Sequence, residues 1–277
     1  MPPRCKAHFI EEFERTVRNT IDEYGLIAPG ERIAVAVSGG KDSLVVLTLV
    51  KRWFSDVTAV AIDEGIAGYR EHTLIDARRV CEAIGVPLVI RSYKDLCGMT
   101  LDEILHKKSL NPCTVCGTLR RHLLSVASKE FDVLVTGHNA DDEAQAVLMN
   151  IIKGNTEMFP RLGPTSGAGA QGFTRRVKPL YFCTEKEVMT YAFLQGLLDT
   201  FVECPNIGES YRHLIRDELN EYARTHPGIK ERILRRFLIA KQAYPRSTVL
   251  LARCDGCGEP SSGARCKACT YLDMLKA

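Results

Sequence analysis

The residues of this 277-residue chain that are equipped for chemistry fall into two sets, an anion-binding turn and a group of paired cysteines. Ser38-Gly39-Gly40-Lys41-Asp42-Ser43 follows the β-branched run Arg32 to Val37 and precedes an apolar segment with helical spacing. Two glycines permit a tight turn with unobstructed main-chain N–H groups, and the following helix adds its unpaired donors and positive dipole end. Such a turn cradles phosphate. It is not a Walker A loop, which places more residues between its glycines and ends in Lys-Ser or Lys-Thr. Asp42 is the odd member, because a carboxylate beside phosphates repels them unless Mg²⁺ bridges the two. The blander alternative is an ordinary turn in which Ser and Asp cap a helix.

Eleven cysteines are many for a reducing compartment, where paired spacings indicate metal or redox chemistry rather than structural disulfides. Cys254-x-x-Cys257 and Cys266-x-x-Cys269 form two knuckles eight residues apart, with Gly256, Gly258 and Gly263 allowing the turns. This spacing predicts a Cys₄ zinc ribbon, since the tail is too short to bury a core without the ion. Cys113-Thr-Val-Cys116 follows Pro112, and Cys204 stands far along the chain before Pro205. Three thiols are one short of a closed zinc site, which a fourth ligand such as His122 or His213 would complete. Two of them would alternatively serve as a disulfide and persulfide pair. Cys81, Cys97 and Cys183 are isolated and read as small core residues.

The elements that must position these groups alternate. Helical spacing covers Phe9 to Tyr24 and Ser43 to Phe54, and strand-like runs cover Arg32–Val37, Val57–Ile62, Pro87–Ile90 and Asp132–Thr136. Further helices are expected over Arg70–Ile84, Gly117–Lys129, Ala140–Lys153, Glu185–Leu198 and across Arg212–Tyr244. An irregular stretch is expected up to Asn111-Pro112, and the Gly-, Pro- and Ser-rich residues 154–180 read as a loop or flap. Strands alternating with helices predict an α/β fold, a parallel sheet with helices on both faces. The expected organisation is an N-terminal helix with Cys5-x-x-His8 (1–24), the nucleotide-binding domain (25–204), a basic helical segment (205–248) and the zinc ribbon (249–277).

With 45% hydrophobic and 26% charged residues the chain has the composition of a globular protein with a full core. No apolar run approaches the ~20 residues of a membrane span, and MPPRCKAHF has no secretory stretch, so the expected address is cytoplasmic. The net charge is only +3, but nine Lys or Arg stand between Arg212 and Arg246 against four acids. That run is either a solvated helical face or a footprint for a phosphate backbone.

SGGKDS resembles the signature of the PP-loop ATP pyrophosphatases, which cleave ATP between the α- and β-phosphates and adenylate a carbonyl. The resemblance continues, in order, through IDEGIAGYR (Ile62 to Arg70), PCTVCGTLRRHLL (Pro112 to Leu124), TGHNADDEAQAVLMN (Thr136 to Asn150) and KEVMTYA (Lys186 to Ala192). DEGIAGYR, CGTLRR and GHNADD with VLMN are most similar to the cytoplasmic tRNA 2-thiolation proteins acting on the wobble uridine; the T-loop 2-thiouridine synthetases share the architecture. The resemblance implies a Rossmann-like fold, ATP and Mg²⁺, and a 4Fe-4S cluster on Cys113, Cys116 and Cys204 with one open iron. It implies that Ala36, Val37 and Ser38 hold the nucleotide, and that Gly39 and Gly40 form the loop. Lys41, Asp42 and Ser43 would meet the phosphates and Mg²⁺, and Ile62 would read the adenine edge through its main chain. Arg120 takes the basic position after the CxxC; Gly137 and Asp142 lie near the α-phosphate. Asp141 and Asp142 also read as first-turn helix acids, and the sequence does not separate their roles.

The implied partners are tRNA, a sulfur donor (sulfide or a ubiquitin-like thiocarboxylate protein) and a second copy in a homodimer. Relatives carry another zinc finger at the N-terminus, of which Cys5 and His8 supply only two ligands. Two rivals stand beside thiolation. A PP-loop ligase with a nitrogen nucleophile, such as a lysidine-synthetase-like enzyme, would have no need of Cys113, Cys116 and Cys204. A zinc-ribbon scaffold that binds nucleic acid would not need an intact SGGKDS.

Overall fold

The computed structural model describes residues 5–166, 172–197, 202–206, 211–244 and 251–276. Leu198, Arg246 and residues 167–171 of the expected flap lie outside the described residues. Its centre is a six-stranded sheet in the order β3-β2-β1-β4-β6-β5. The strands are β1 (Ile33–Ala36), β2 (Val57–Asp63), β3 (Leu88–Ser92), β4 (Val133–Val135), β5 (Thr165–Ser166) and β6 (Arg175–Val177). All neighbours are parallel except β5, which runs antiparallel to β6 at the edge.

Period-two alternation in β1 decides which side chains meet which layer. Ile33 and Val35 enter a large core with helices α1 (Lys6–Glu23), α2 (Lys41–Trp53), α3 (Arg70–Ala83) and α8 (Glu185–Leu194). Ala34 points the other way, with Val60 and Leu134, against Leu124 and Ala127 of α6 (Pro112–Ala127). Both faces of the sheet are therefore covered, as a parallel sheet requires. A third cluster joins α7 (Ala140–Ile152) to α9 (Tyr211–Thr225) and α10 (Ile229–Ala240) through Ala144, Val147, Leu219, Leu234 and Phe237.

Two expectations need correction. The stretch before Asn111 contains α4 (Tyr93–Cys97) and α5 (Leu101–Lys107), each started by a side-chain cap: Ser92 accepts from Asp95 N–H, and Thr100 forms a reciprocal box with Glu103. The Gly- and Pro-rich stretch is not only a loop, because β6 inside it pairs with β4 over Val133↔Arg175 to Val135↔Val177. The basic region also divides, at Gly228 with φ 76°, into α9 and α10.

Beyond these, a hairpin of β7 (Ala252–Arg253) and β8 (Pro260–Ser261) leads into α11 (Lys267–Lys276). This tail is not a loose appendage. Ala268 and Leu275 share a buried cluster with Leu101, Ile104, Val115, Leu119 and Leu123 of α5 and α6. Lys107 Nζ donates to the Leu275 carbonyl at 2.7 Å, and Glu259 pairs with Lys129 and takes a hydrogen bond from Ser125. Leu275→Ala empties part of that seam and is expected to cost about 2–5 kcal/mol. Urea unfolding should then shift as one transition by near- and far-ultraviolet circular dichroism; a separate early transition of the tail would show that the docking is energetically idle.

Candidate active site

The chain leaves β1 for β2 and β3 on one side and returns to β4 on the other, so the loops after β1 and β4 part at the C-terminal edge of the sheet, where open α/β sheets bind ligands. The first of these loops is braced internally. Ser38 N–H donates to Ser43 Oγ at 3.1 Å, Ser43 Oγ donates to the Gly40 carbonyl at 2.8 Å, and Gly40 N–H donates to Ser38 Oγ at 3.3 Å. Ser43, only 5% exposed, is thus a brace of the turn. Val37 N–H is engaged with the Val60 carbonyl at 2.8 Å, in the sheet. Of Ala36, Val37 and Ser38, only Ser38 is exposed, with its hydroxyl at the loop surface. Gly39, at φ 82°, lies so close to the Thr73 carbonyl of α3 that a side chain would collide with it.

The second loop is pressed onto the first. A Cβ on Gly137 would fall 2.8 Å from the carbonyl carbon of Asp42 and 2.9 Å from Ser43 N. Asn139 then caps α7, accepting from the N–H groups of Asp141 and Asp142, while its Nδ2 donates to Asp42 Oδ1 at 2.9 Å. One side chain fixes the register of both loops.

The two adjacent acids now separate. Asp141 is buried, paired with Lys230 of α10, and accepts from Glu185 N–H at 2.9 Å. It is a structural tie between α7, α8 and α10. Asp142, with Asp42, Glu185 and Arg212, lines a cleft of about 200 Å³ that Asp141 also borders. Burial raises the Asp142 carboxyl, against the pull of Arg212, whose Nη1 is 3.2 Å away. Burial likewise raises Asp42, opposed by Lys41 at 3.2 Å, and the nearby Asp142 adds to the rise. Burial pulls Lys41 down, but Asp42 and Glu185, the latter at 2.9 Å, outweigh it and hold the ammonium charged. Two carboxylates that burial makes costly as bare anions, facing one cleft, form a donor set suited to a hard cation. His138 opens onto the same edge; desolvation and then Lys178 push its imidazole down to about 4, so it is neutral near pH 7.

Across the edge stands the cysteine helix. Asn111 caps α6 and Pro112 starts it, which places Cys113 and Cys116 in its first turns and Arg120 one turn on. Cys113 is exposed, with its Sγ 3.5 Å from the Asn206 carbonyl; Cys116 and Cys204 are half-buried in one cluster. Desolvation raises the Cys116 thiol, Arg120 opposes it, and Cys204 is close enough to add to the rise. Cys116 and Cys204, from two distant segments, therefore lie near each other beside Arg120, and Cys113 touches the segment that follows Cys204. Their sulfurs do not gather at the spacing of a single ion, which among the described residues only the tail cysteines reach. His122 has Glu259 and Lys129 nearby and His213 pairs with Asp217 at 2.8 Å; among the described residues neither forms a gathered ligand set with the three thiols.

Two residues of this edge that the sequence did not single out are Glu64 and Arg70, both buried. Arg70 donates to the carbonyls of Ser38 and Ile62, and Glu64 stands between Arg70 and Arg120. The Ile62 carbonyl, at the end of β2, thus already accepts one hydrogen bond from Arg70. Asn139, Glu185, Arg212 and Lys230 were missed as well.

In the tail, Cys254, Cys257, Cys266 and Cys269 hold their sulfurs within 4.8 Å of one another. Cys254 Sγ accepts from Cys266 N–H at 3.2 Å and Cys266 Sγ from Cys269 N–H at 3.4 Å. The donor set fits a zinc ion. Cys5 Sγ lies 3.3 Å from His8 Nδ1, a pair without further ligands among the described residues.

Gly137→Ala tests the packing of the two loops. The obstructing atoms are main chain, so the strain of about 1–3 kcal/mol should lower nucleotide affinity roughly ten- to hundredfold with helix content unchanged. Calorimetric titration with ATP measures it.

Comparison with known proteins bears on the whole arrangement. A family model described as a PP-loop domain matches residues 9–223. The tRNA-5-methyluridine(54) 2-sulfurtransferase of Pyrococcus horikoshii is 36% identical over 276 residues, covering 98% of this chain and 88% of that one. Cytoplasmic tRNA 2-thiolation protein 1 of Anopheles gambiae is 36% identical over 284 residues, covering 98% and 82%. The U34-tRNA thiolase NcsA from Methanococcus maripaludis, solved with its 4Fe-4S cluster, superposes with a TM-score of 0.83 at 34% identity, covering 98% of this chain and 89% of that one. The matched span takes in both phosphate-side loops and the cysteines at 113, 116 and 204, and this chain belongs to the PP-loop family.

Proposed function

We propose that this protein is a tRNA sulfurtransferase that activates the C2 oxygen of a uridine with ATP and replaces it with sulfur. The observation that carries the reading is the run of contacts from Ser38 through Arg70, Glu64 and Arg120 to Cys116 and Cys204, which supports a nucleotide loop and thiols at one edge of the sheet. A ligase using a nitrogen nucleophile gives no reason for those thiols, and a mere scaffold gives none for the braced loop.

Uridine O2 attacks the α-phosphate, pyrophosphate leaves, and the N3 proton is lost as the O2-adenylate forms. A sulfide equivalent then adds at C2, the C2–O bond breaks, and AMP departs with the former C2 oxygen. Lys41, the helix start at Gly40–Lys41 and Arg120 face charge that develops on the phosphates. Asp42 and Asp142 would hold Mg²⁺, exchanging Lys41 and Arg212 for a metal that neutralises the phosphate oxygens. Cys113, Cys116 and Cys204 would hold a 4Fe-4S cluster, which would supply a soft iron able to bind sulfur. The sulfur donor, sulfide or a thiocarboxylate protein, is reached from the exposed Cys113 side.

We assign the chemistry to residues 25–204 and tRNA contact to the basic segment 205–248, beside the ribbon 249–277, in a chain that assembles as a homodimer. Not all of that basic charge is available: Arg212 and Lys230 turn inward to Asp142 and Asp141, and Lys241 donates to the Leu162 carbonyl. No described helix is long and apolar enough to cross a membrane, and a cytoplasmic address is proposed from the Anopheles relative's name. The wobble uridine is the favoured target; the Pyrococcus relative, named for position 54, supports the T-loop uridine as the second reading.

Anaerobic protein with tRNA, Mg-ATP and sulfide should yield 2-thiouridine, and mass mapping of nuclease fragments distinguishes position 34 from 54. Asp42→Ala and Lys41→Ala should abolish tRNA-dependent pyrophosphate release while keeping the fold; thiolation at the parent rate would sink the nucleotide assignment. Each of Cys113→Ala, Cys116→Ala and Cys204→Ala should remove visible absorbance and thiolation together while ATP still binds. Cys254→Ser should release one zinc per chain, measured by elemental analysis, and lower the melting temperature.

A further inference from the structure

Glu64 and Arg70 carry no role in the reaction as described, yet they are 4% and 3% exposed where three parts of the site meet. Charged side chains are rarely so deeply placed unless paired. Arg70 reaches from the start of α3 in three directions. Its Nη1 donates to the Ser38 carbonyl at 2.5 Å and to Thr73 Oγ1 at 3.0 Å, and its Nη2 to the Ile62 carbonyl. Its Nε is 2.9 Å from Glu64 Oε2 but off line for a hydrogen bond, so charge rather than direction holds that pair. The other carboxylate oxygen, Glu64 Oε1, is 3.7 Å from Arg120 Nη1.

One carboxylate therefore serves two guanidiniums, which leaves one positive charge in excess. The excess is not symmetric. Arg70 is enclosed, while 49% of the Arg120 side chain is open to solvent, near His138 and Cys116. At 3.7 Å the tether aims Arg120 without saturating its donors. A cation held this way beside the nucleotide loop is set to receive an anion.

We propose that Glu64 is a positioning residue that aims Arg120 at the reacting phosphate, and that Arg70 fixes Glu64 to the nucleotide loop and the end of β2. The chain Ser38–Arg70–Glu64–Arg120 then sets the spacing between the ATP loop and the cysteine helix, which fold from separate stretches of sequence. It rests on the reading of Arg120 given above, and the test separates the two.

The experiment is steady-state thiolation of tRNA with ATP varied, for Glu64→Gln, Glu64→Asp, Arg70→Lys, Arg120→Lys, Arg120→Ala and the double variant of Glu64→Gln with Arg120→Lys. Glu64→Gln keeps the shape and removes the charge, so kcat should fall roughly ten- to hundredfold with the ATP KM within about twofold. Arg70→Lys removes the fork that holds two carbonyls, so its ATP KM should rise. Glu64 and Arg120 act as a unit, so the double variant should be no slower than Arg120→Lys alone. If Glu64→Gln does not fold, as judged by circular dichroism and melting, Glu64→Asp carries the test. It keeps the charge but draws it back by one methylene, and should lower kcat without moving KM. Multiplying effects in the double variant, or a parental kcat in both Glu64 variants while Arg120→Ala is inactive, would overturn the positioning role. A parental rate in Arg120→Ala would instead overturn the reading of Arg120 itself.

Discussion

Everything at the C-terminal edge of this sheet depends on one contact between two stretches of main chain. Gly137 lies against Asp42 and Ser43 with no room for a methyl group, and Asn139 bonds to Asp42 across the same gap. Because the two loops leave neighbouring strands, β1 and β4, the sheet sets their separation coarsely and this contact sets it finely. The cleft is lined by Asp42 at the start of α2 and by Asn139, Asp141 and Asp142 at the start of α7. A site for a polyanion needs its donors fixed before the ligand arrives, since donors that must reorganise contribute less to stabilising developing charge.

The charges around the cleft follow from that fixed geometry. Four carboxylates (Asp42, Asp141, Asp142 and Glu185) crowd the seam, and each has a cation or an amide donor within reach: Lys41, Arg212, Lys230 and the N–H of Glu185. Half-exposed pairs such as Arg212 with Asp142 are worth little in stability. Asp141 with Lys230 is different. It is buried, and it fastens the helical pair α9–α10 to the nucleotide edge, so the basic segment is held in place by the same run of residues that faces the cleft.

Much of this was legible in the sequence, and the rest was hidden for identifiable reasons. The phosphate loop could be read because glycines, a strand and a helix start are local features. The tail knuckles could be read because a tetrahedral ion demands a fixed spacing. Asp141 and Asp142 could not be told apart, because their difference lies in helical phase and in Lys230, which belongs to a helix formed far along the chain. Glu64 and Arg70 lay in plain view in IDEGIAGYR, but nothing local marks a charged residue as buried. β6 escaped because its Arg-Arg-Val has no apolar pattern and owes its strand to pairing with β4. The caps at Ser92 and Thr100, by contrast, were local signals of α4 and α5 that a search for Ser/Thr followed three residues later by an acid would have found.

The docking of the tail on α5 and α6 has a consequence in time rather than in space. Residues 252–276 leave the ribosome after every other part described here, yet Ala268 and Leu275 complete the cluster that holds Leu119 and Cys116. While the chain is being made, the sheet, both phosphate-side loops and the cysteine helix are already available to fold, but the underside of α6 stays bare. The pairing of such distant segments is also slow, because its loop-closure entropy is lost before any contact forms. That face of the helix carrying Cys113 and Cys116 can therefore be covered only once the tail has been made. A ribosome that stalls within the final hairpin would leave a protein whose nucleotide loop is formed and whose thiols are not yet in their finished surroundings.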